Sequence, residues 1–102
     1  MRNNNFGLTP SDWRLIDDLL IQPLKKHLCK LWVFGSRATG KHQTFSDIDV
    51  LYQPTQALPS DLIASIQEQL ENSNLSIKVD LVARENLATS FRDRIEKEKI
   101  LL

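Results

Sequence analysis

The sequence predicts an α/β (α+β) fold, a small mixed sheet of three or four strands backed by helices. Three observations carry that reading. Two short apolar runs, Leu31–Phe34 and 47–53, are separated only by a polar stretch containing Gly35 and Gly40. A third run, Ser76–Val82, alternates Ile77, Val79 and Leu81 with Lys78 and Asp80, the period of a strand. Between and around these runs, apolar residues recur at helical spacing. The stretch 35–46 is short for a crossover helix, so the first two strands are expected to run antiparallel. The helix that follows lets the third lie parallel to the second.

Taken in order, residues 1–8 are polar and expected to be flexible. Thr9-Pro10-Ser11-Asp12 is a helix start, with Thr9 as N-cap and proline at the first helical position. Trp13, Ile16, Leu19, Leu20 and Leu24 supply the apolar face. Pro23 should break or kink that segment, giving helices near 10–21 and 23–29. Pro54 stops the second strand, and Pro59 opens a helix whose stripe is Leu62, Ile63, Ile66 and Leu70. From Glu85 a last helix carries Leu87, Phe91 and Ile95 at four-residue spacing. Trp13, Trp32, Phe34 and Phe91 are expected in the core.

The 102 residues suffice for one domain and one core, with little left for a second substrate-binding region. Thirteen basic residues balance thirteen acidic ones, and without a basic excess a long nucleic acid is not the expected partner. Cys29 is the only cysteine, read as a buried thiol at a helix end, and no Cys/His spacing suggests zinc. His27 and His42 read as surface residues. No apolar run reaches the roughly 18 residues of a membrane span and no signal peptide is visible, so a cytoplasmic location is expected.

The chemistry-bearing feature is Phe34-Gly35-Ser36-Arg37, then ten residues, then Asp47-Ile48-Asp49 opening the second strand. Alternate strand residues share a face, which puts Asp47 and Asp49 roughly 7 Å apart along the backbone. Two like charges so placed repel unless a cation sits between them. Mg²⁺ suits such a pair, and a Gly-Ser turn can offer amides to the phosphates the metal carries. Asp80, on the third strand, can reach the same edge. Arg37 and Lys41 are candidate phosphate ligands. Gly35-Ser-Arg-Ala-Thr-Gly40-Lys41 is not a P-loop, because His42 stands where a Mg²⁺-binding hydroxyl should. Nor is 47–52 an EF-hand start, because Tyr52 occupies the glycine position.

These residues, from Phe34-Gly35-Ser36-Arg37 through Gly40 to Ser46-Asp47-Ile48-Asp49-Val50, resemble the signature of the DNA-polymerase-β-type nucleotidyltransferases. More narrowly, they are similar to the minimal nucleotidyltransferase (MNT) proteins, antitoxins paired with HEPN ribonuclease toxins. The resemblance implies that Asp47, Asp49 and Asp80 hold two Mg²⁺ ions and that Gly35 and Ser36 bind the triphosphate of ATP. It also implies a palm-like sheet and AMP transfer from Mg-ATP to a tyrosine hydroxyl of the toxin. Two alternatives remain at this point, a non-catalytic module that neutralises its partner by binding and a small-molecule nucleotidyltransferase. The apolar tail Ile100-Leu101-Leu102 is expected to contribute to a homo- or hetero-oligomeric contact, the alternative being a tail folded against its own sheet edge.

Overall fold

The computed structural model describes residues 6–102. Helix α1 (Pro10–Ile16) starts where the sequence places it, with the Thr9 side chain accepting a hydrogen bond from the Asp12 amide. Pro23 does not break the segment. Instead a π-helical turn, Asp17–Ile21, joins α1 to α2 (Gln22–Lys26), its wider ring closed by the Gln22 amide donating to the Asp17 carbonyl. Proline clashes with the carbonyl four residues back, and widening the preceding turn moves that carbonyl away. The helical run therefore stays continuous enough to bury Ile16, Leu20 and Leu24 side by side.

Strands β1 (Cys29–Phe34), β2 (Ile48–Pro54), β3 (Val79–Ala83) and β4 (Ile100–Leu101) form one sheet in the order β3-β2-β1-β4. β1 runs antiparallel to β2 and to β4, and β2 is parallel to β3 across the helix α4 (Leu62–Glu71). Cys29 is buried as expected, but it begins a strand rather than ending a helix. The apolar tail is the fourth strand: Ile100 pairs with Val33, and the Leu102 amide donates to the Leu31 carbonyl. Ile100 and Leu102 pack on the main core, so the segment is part of this chain's own sheet, at its edge.

Alternation sorts the two sheet faces. Leu31 and Val33, Ile48 and Val50, and Val79 point into a core shared with α1, α2 and α4. Phe6 and Leu8, expected in a flexible terminus, are buried in that same core, while residues 1–5 lie outside the described range. Trp32, Leu51 and Val82 point to the opposite face, where Ile95 of α5 (Thr89–Glu98) covers them. A short 3₁₀ turn, Arg84–Asn86, leads from β3 toward α5, and Arg84 binds Glu96 across that junction at 2.8 Å. This second layer is small and leaves the Asp49 end of its face open.

Candidate active site

The site lies where β1 ends and β2 and β3 begin. Phe34 pairs with Asp49 across the antiparallel ladder, and Asp49 pairs with Asp80 across the parallel one. Neighbouring strands stand about 4.8 Å apart, so the two carboxylates leave the same face side by side. Asp47 is exposed immediately before β2. Burial first, then the Asp80 and Asp47 charges, push the Asp49 carboxyl above the ordinary carboxylate range. Strand register thus sets Asp49 beside Asp80, with the Asp47 charge felt from just before β2. Lys78, two residues before Asp80, forms no ion pair with it among the described residues.

Gly35 makes the approach possible. Its φ of 76° and ψ of −153° lie in a region essentially reserved for glycine, and a Cβ there would overlap the Asp49 carboxylate. The chain then turns directly into the single-turn helix α3 (Ser36–Thr39). The Gly35 carbonyl accepts from the Ala38 and Thr39 amides, whereas the first amides of any helix lack an intrahelical acceptor. Ser36, the first residue of that turn, and the Asp49 carboxylate therefore both border Gly35, an amide-bearing corner facing an acidic edge.

Arg37 does not serve as a phosphate ligand here. It is 3% exposed, and its guanidinium donates to the carbonyls of Phe6 (2.8 Å), Thr44 (3.2 Å) and Ser46 (2.9 and 3.1 Å). Burial lowers its pKa, opposed by the Asp12 charge. One buried cation thus ties the N-terminal segment to the 40–47 loop that delivers Asp47. Asp12, buried at the start of α1, similarly accepts from the Ser76 amide at 3.1 Å and from the Ser76 hydroxyl, fixing the approach to β3. The Lys41 amide closes the α3 turn onto the Ser36 carbonyl, and its side chain is exposed at the loop. The His42 ring packs against Gly7 rather than standing free at the surface.

Two residues at this site escape sequence reasoning. Phe91, expected in the core, is 53% exposed, and Arg94 carried no expectation; both line a cleft of about 290 Å³ with Gly35, Asp49 and Asp80. A signal was present in the sequence. Phe91 and Ile95 are the only large apolar residues of the polar segment 89–98, and one buried anchor suffices to seat so short a helix.

Among the described residues no three acidic, His or Cys side chains close into a metal cage. That arrangement still suits Mg²⁺, which is usually held by one or two carboxylates together with substrate phosphates. The raised Asp49 pKa marks the place where a cation would relieve repulsion. Asp47, Asp49 and Asp80 therefore fit a metal that arrives with its phosphates.

Residues 19–102 match the family described as Polymerase beta, Nucleotidyltransferase. The chain belongs to that nucleotidyltransferase family. A curated relative, the probable protein adenylyltransferase MntA of Haemophilus influenzae, is 31% identical over 74 residues, 71% of this chain and 63% of that protein. The chain thus spans less than two thirds of that nucleotidyltransferase relative's length. A toxin–antitoxin crystal structure with AMP-PNP superposes with a TM-score of 0.62 at 22% identity, covering 83% of this chain and 70% of that one. The toxin–antitoxin MntA-HpeT mutant Y104A gives 0.61 at 21% identity, over 84% and 70%. At such identities these two structures establish the nucleotidyltransferase fold and nothing finer. No helix among the described residues is long and apolar enough to cross a membrane.

Proposed function

We propose that this nucleotidyltransferase moves AMP from Mg-ATP to a hydroxyl on a partner protein, acting as an antitoxin that adenylylates a tyrosine of a HEPN-type toxin. The observation that carries the chemistry is the strand register: Asp49 sits beside Asp80, under the Gly35 turn, with Asp47 close enough to raise its pKa. The likeness to the probable protein adenylyltransferase supports the choice of acceptor class.

In this reading the Gly35–Ser36 corner receives the triphosphate, its amides facing the β- and γ-phosphate oxygens. Asp47 and Asp49 would hold Mg²⁺, with Asp80 joining them for a second ion. Bound there, the metal neutralises phosphate charge and stabilises the departing pyrophosphate. Asp80 is exposed at the sheet edge, where it would accept a hydrogen bond from the acceptor hydroxyl. The acceptor oxygen forms a bond to the α-phosphorus as the bond to the β-phosphate's bridging oxygen breaks. The hydroxyl proton passes to Asp80 and pyrophosphate leaves. The protein's contribution is positioning and charge, not covalent chemistry.

Incubation with α-labelled ATP, Mg²⁺ and a HEPN-type toxin protein tests the reading. Label should appear on a tyrosine of that protein and vanish with Asp49→Asn. A stable complex that never acquires label would reject transfer in favour of neutralisation by binding.

A further inference from the structure

The cleft beside the carboxylates is polarised. Gly35, Asp49 and Asp80 form one end, while Val82, Leu87 and Ile95 form an apolar floor. Helix α5 supplies the wall through Phe91 and Arg94, which are three residues apart and so share a helix face. Phe91 keeps 53% of its surface exposed although an apolar cluster lies directly beneath α5. Arg94 is the sole cation among the residues lining this cleft, and its contact with Glu98 is a loose one at 3.8 Å, with the side chain 72% exposed. About 290 Å³ lies at the small end of small-ligand sites. The occupant such a surface matches has a flat aromatic part for the floor and negative charge for the rim.

We propose that Phe91 and Arg94 form the nucleoside subsite. The base stacks on the Phe91 ring over Val82 and Leu87, and Arg94 reaches the negative charge of the phosphates leading back to Asp49. The cleft is continuous with the acidic edge, so a ligand held at Gly35 by its phosphates can extend its base along this floor. This proposal rests on the nucleotidyltransferase reading above. It adds that affinity for the base comes from α5, an element that carries none of the three site carboxylates Asp47, Asp49 and Asp80.

Calorimetric titration with Mg-ATP and with Mg-tripolyphosphate, which lacks base and sugar, tests the subsite. Phe91→Ala should weaken Mg-ATP binding about tenfold or more, the scale of one base–aromatic stack, and leave tripolyphosphate binding unchanged. Phe91→Trp should restore Mg-ATP affinity. Arg94→Ala should weaken both ligands. Equal loss of both ligands in Phe91→Ala would mean a structural role, and unchanged affinity for both would mean that Phe91 faces something other than the base. Either result overturns the proposal. A wild-type protein that binds neither ligand overturns the nucleotidyltransferase reading itself.

Discussion

At Asp49, burial and two like charges act in the same direction, and both favour the neutral acid. Its folded-state pKa therefore lies above the unfolded value of about 3.9. The protonated form stabilises the fold; that contribution is complete below the unfolded value and is lost as pH rises through the folded one. At neutral pH, ionised Asp49 costs stability. In metal-free buffer at pH 7, Asp49→Asn should leave the melting temperature unchanged or raise it, while abolishing transfer. The gain should shrink as the pH falls toward about 4. A loss of more than a few degrees at pH 7 would mean that Asp49 is a structural partner instead. Arg37 presents the opposite case. Its guanidinium serves three backbone carbonyls in a buried position, so Arg37→Met strands those acceptors. Denaturant melts should show a loss of about 2–4 kcal/mol. Arg37→Lys should recover little of it, because an ammonium cannot reproduce the planar fork.

At the scale of elements, β4 shows why a terminal apolar tripeptide is ambiguous. The sequence Ile100-Leu101-Leu102 fits a strand edge or an interface equally well, and only the register to Trp32 and Val33 decides between them. Removing residues 100–102 should uncover the β1 edge and part of the main core. A lower midpoint in urea together with faster amide exchange at Leu31 and Val33 is the expected outcome. Unchanged exchange there would mean that the tail contributes nothing to the sheet. The strands themselves were legible as short apolar runs bounded by turn residues, with alternation from Ile77 to Leu81 in the third, and the shared face of Asp47 and Asp49 follows from the strand period. Other features were hidden for a common reason, since each depends on a contact distant in sequence. Arg37 meets Phe6 thirty-one residues away, Asp12 meets Ser76 sixty-four away, and the π turn hosting Pro23 depends on the helix being held against a sheet. Phe91 was misplaced because helical spacing reports which face a residue occupies but not how far along the helix its cover extends.

For the whole molecule, the balance of thirteen acidic and thirteen basic residues conceals a local imbalance. Three carboxylates gather at one sheet edge, while Arg37 of the neighbouring glycine–serine motif is spent on backbone carbonyls. ATP alone brings more negative charge to that edge, whereas Mg-ATP brings the compensating cations. Anything that binds only the folded state raises its melting temperature in proportion to the logarithm of ligand concentration above Kd. Thermal melts should therefore shift upward with Mg-ATP in a concentration-dependent way, by about 2.7 kcal/mol of added stability at a hundredfold excess over Kd. ATP in excess EDTA should shift them little, and Mg²⁺ alone less than the pair together. Equal stabilisation with and without the metal would show that the nucleotide is held without help from Asp47, Asp49 and Asp80. The acidic edge would then be a feature of the sheet's register and not the place where the phosphates bind.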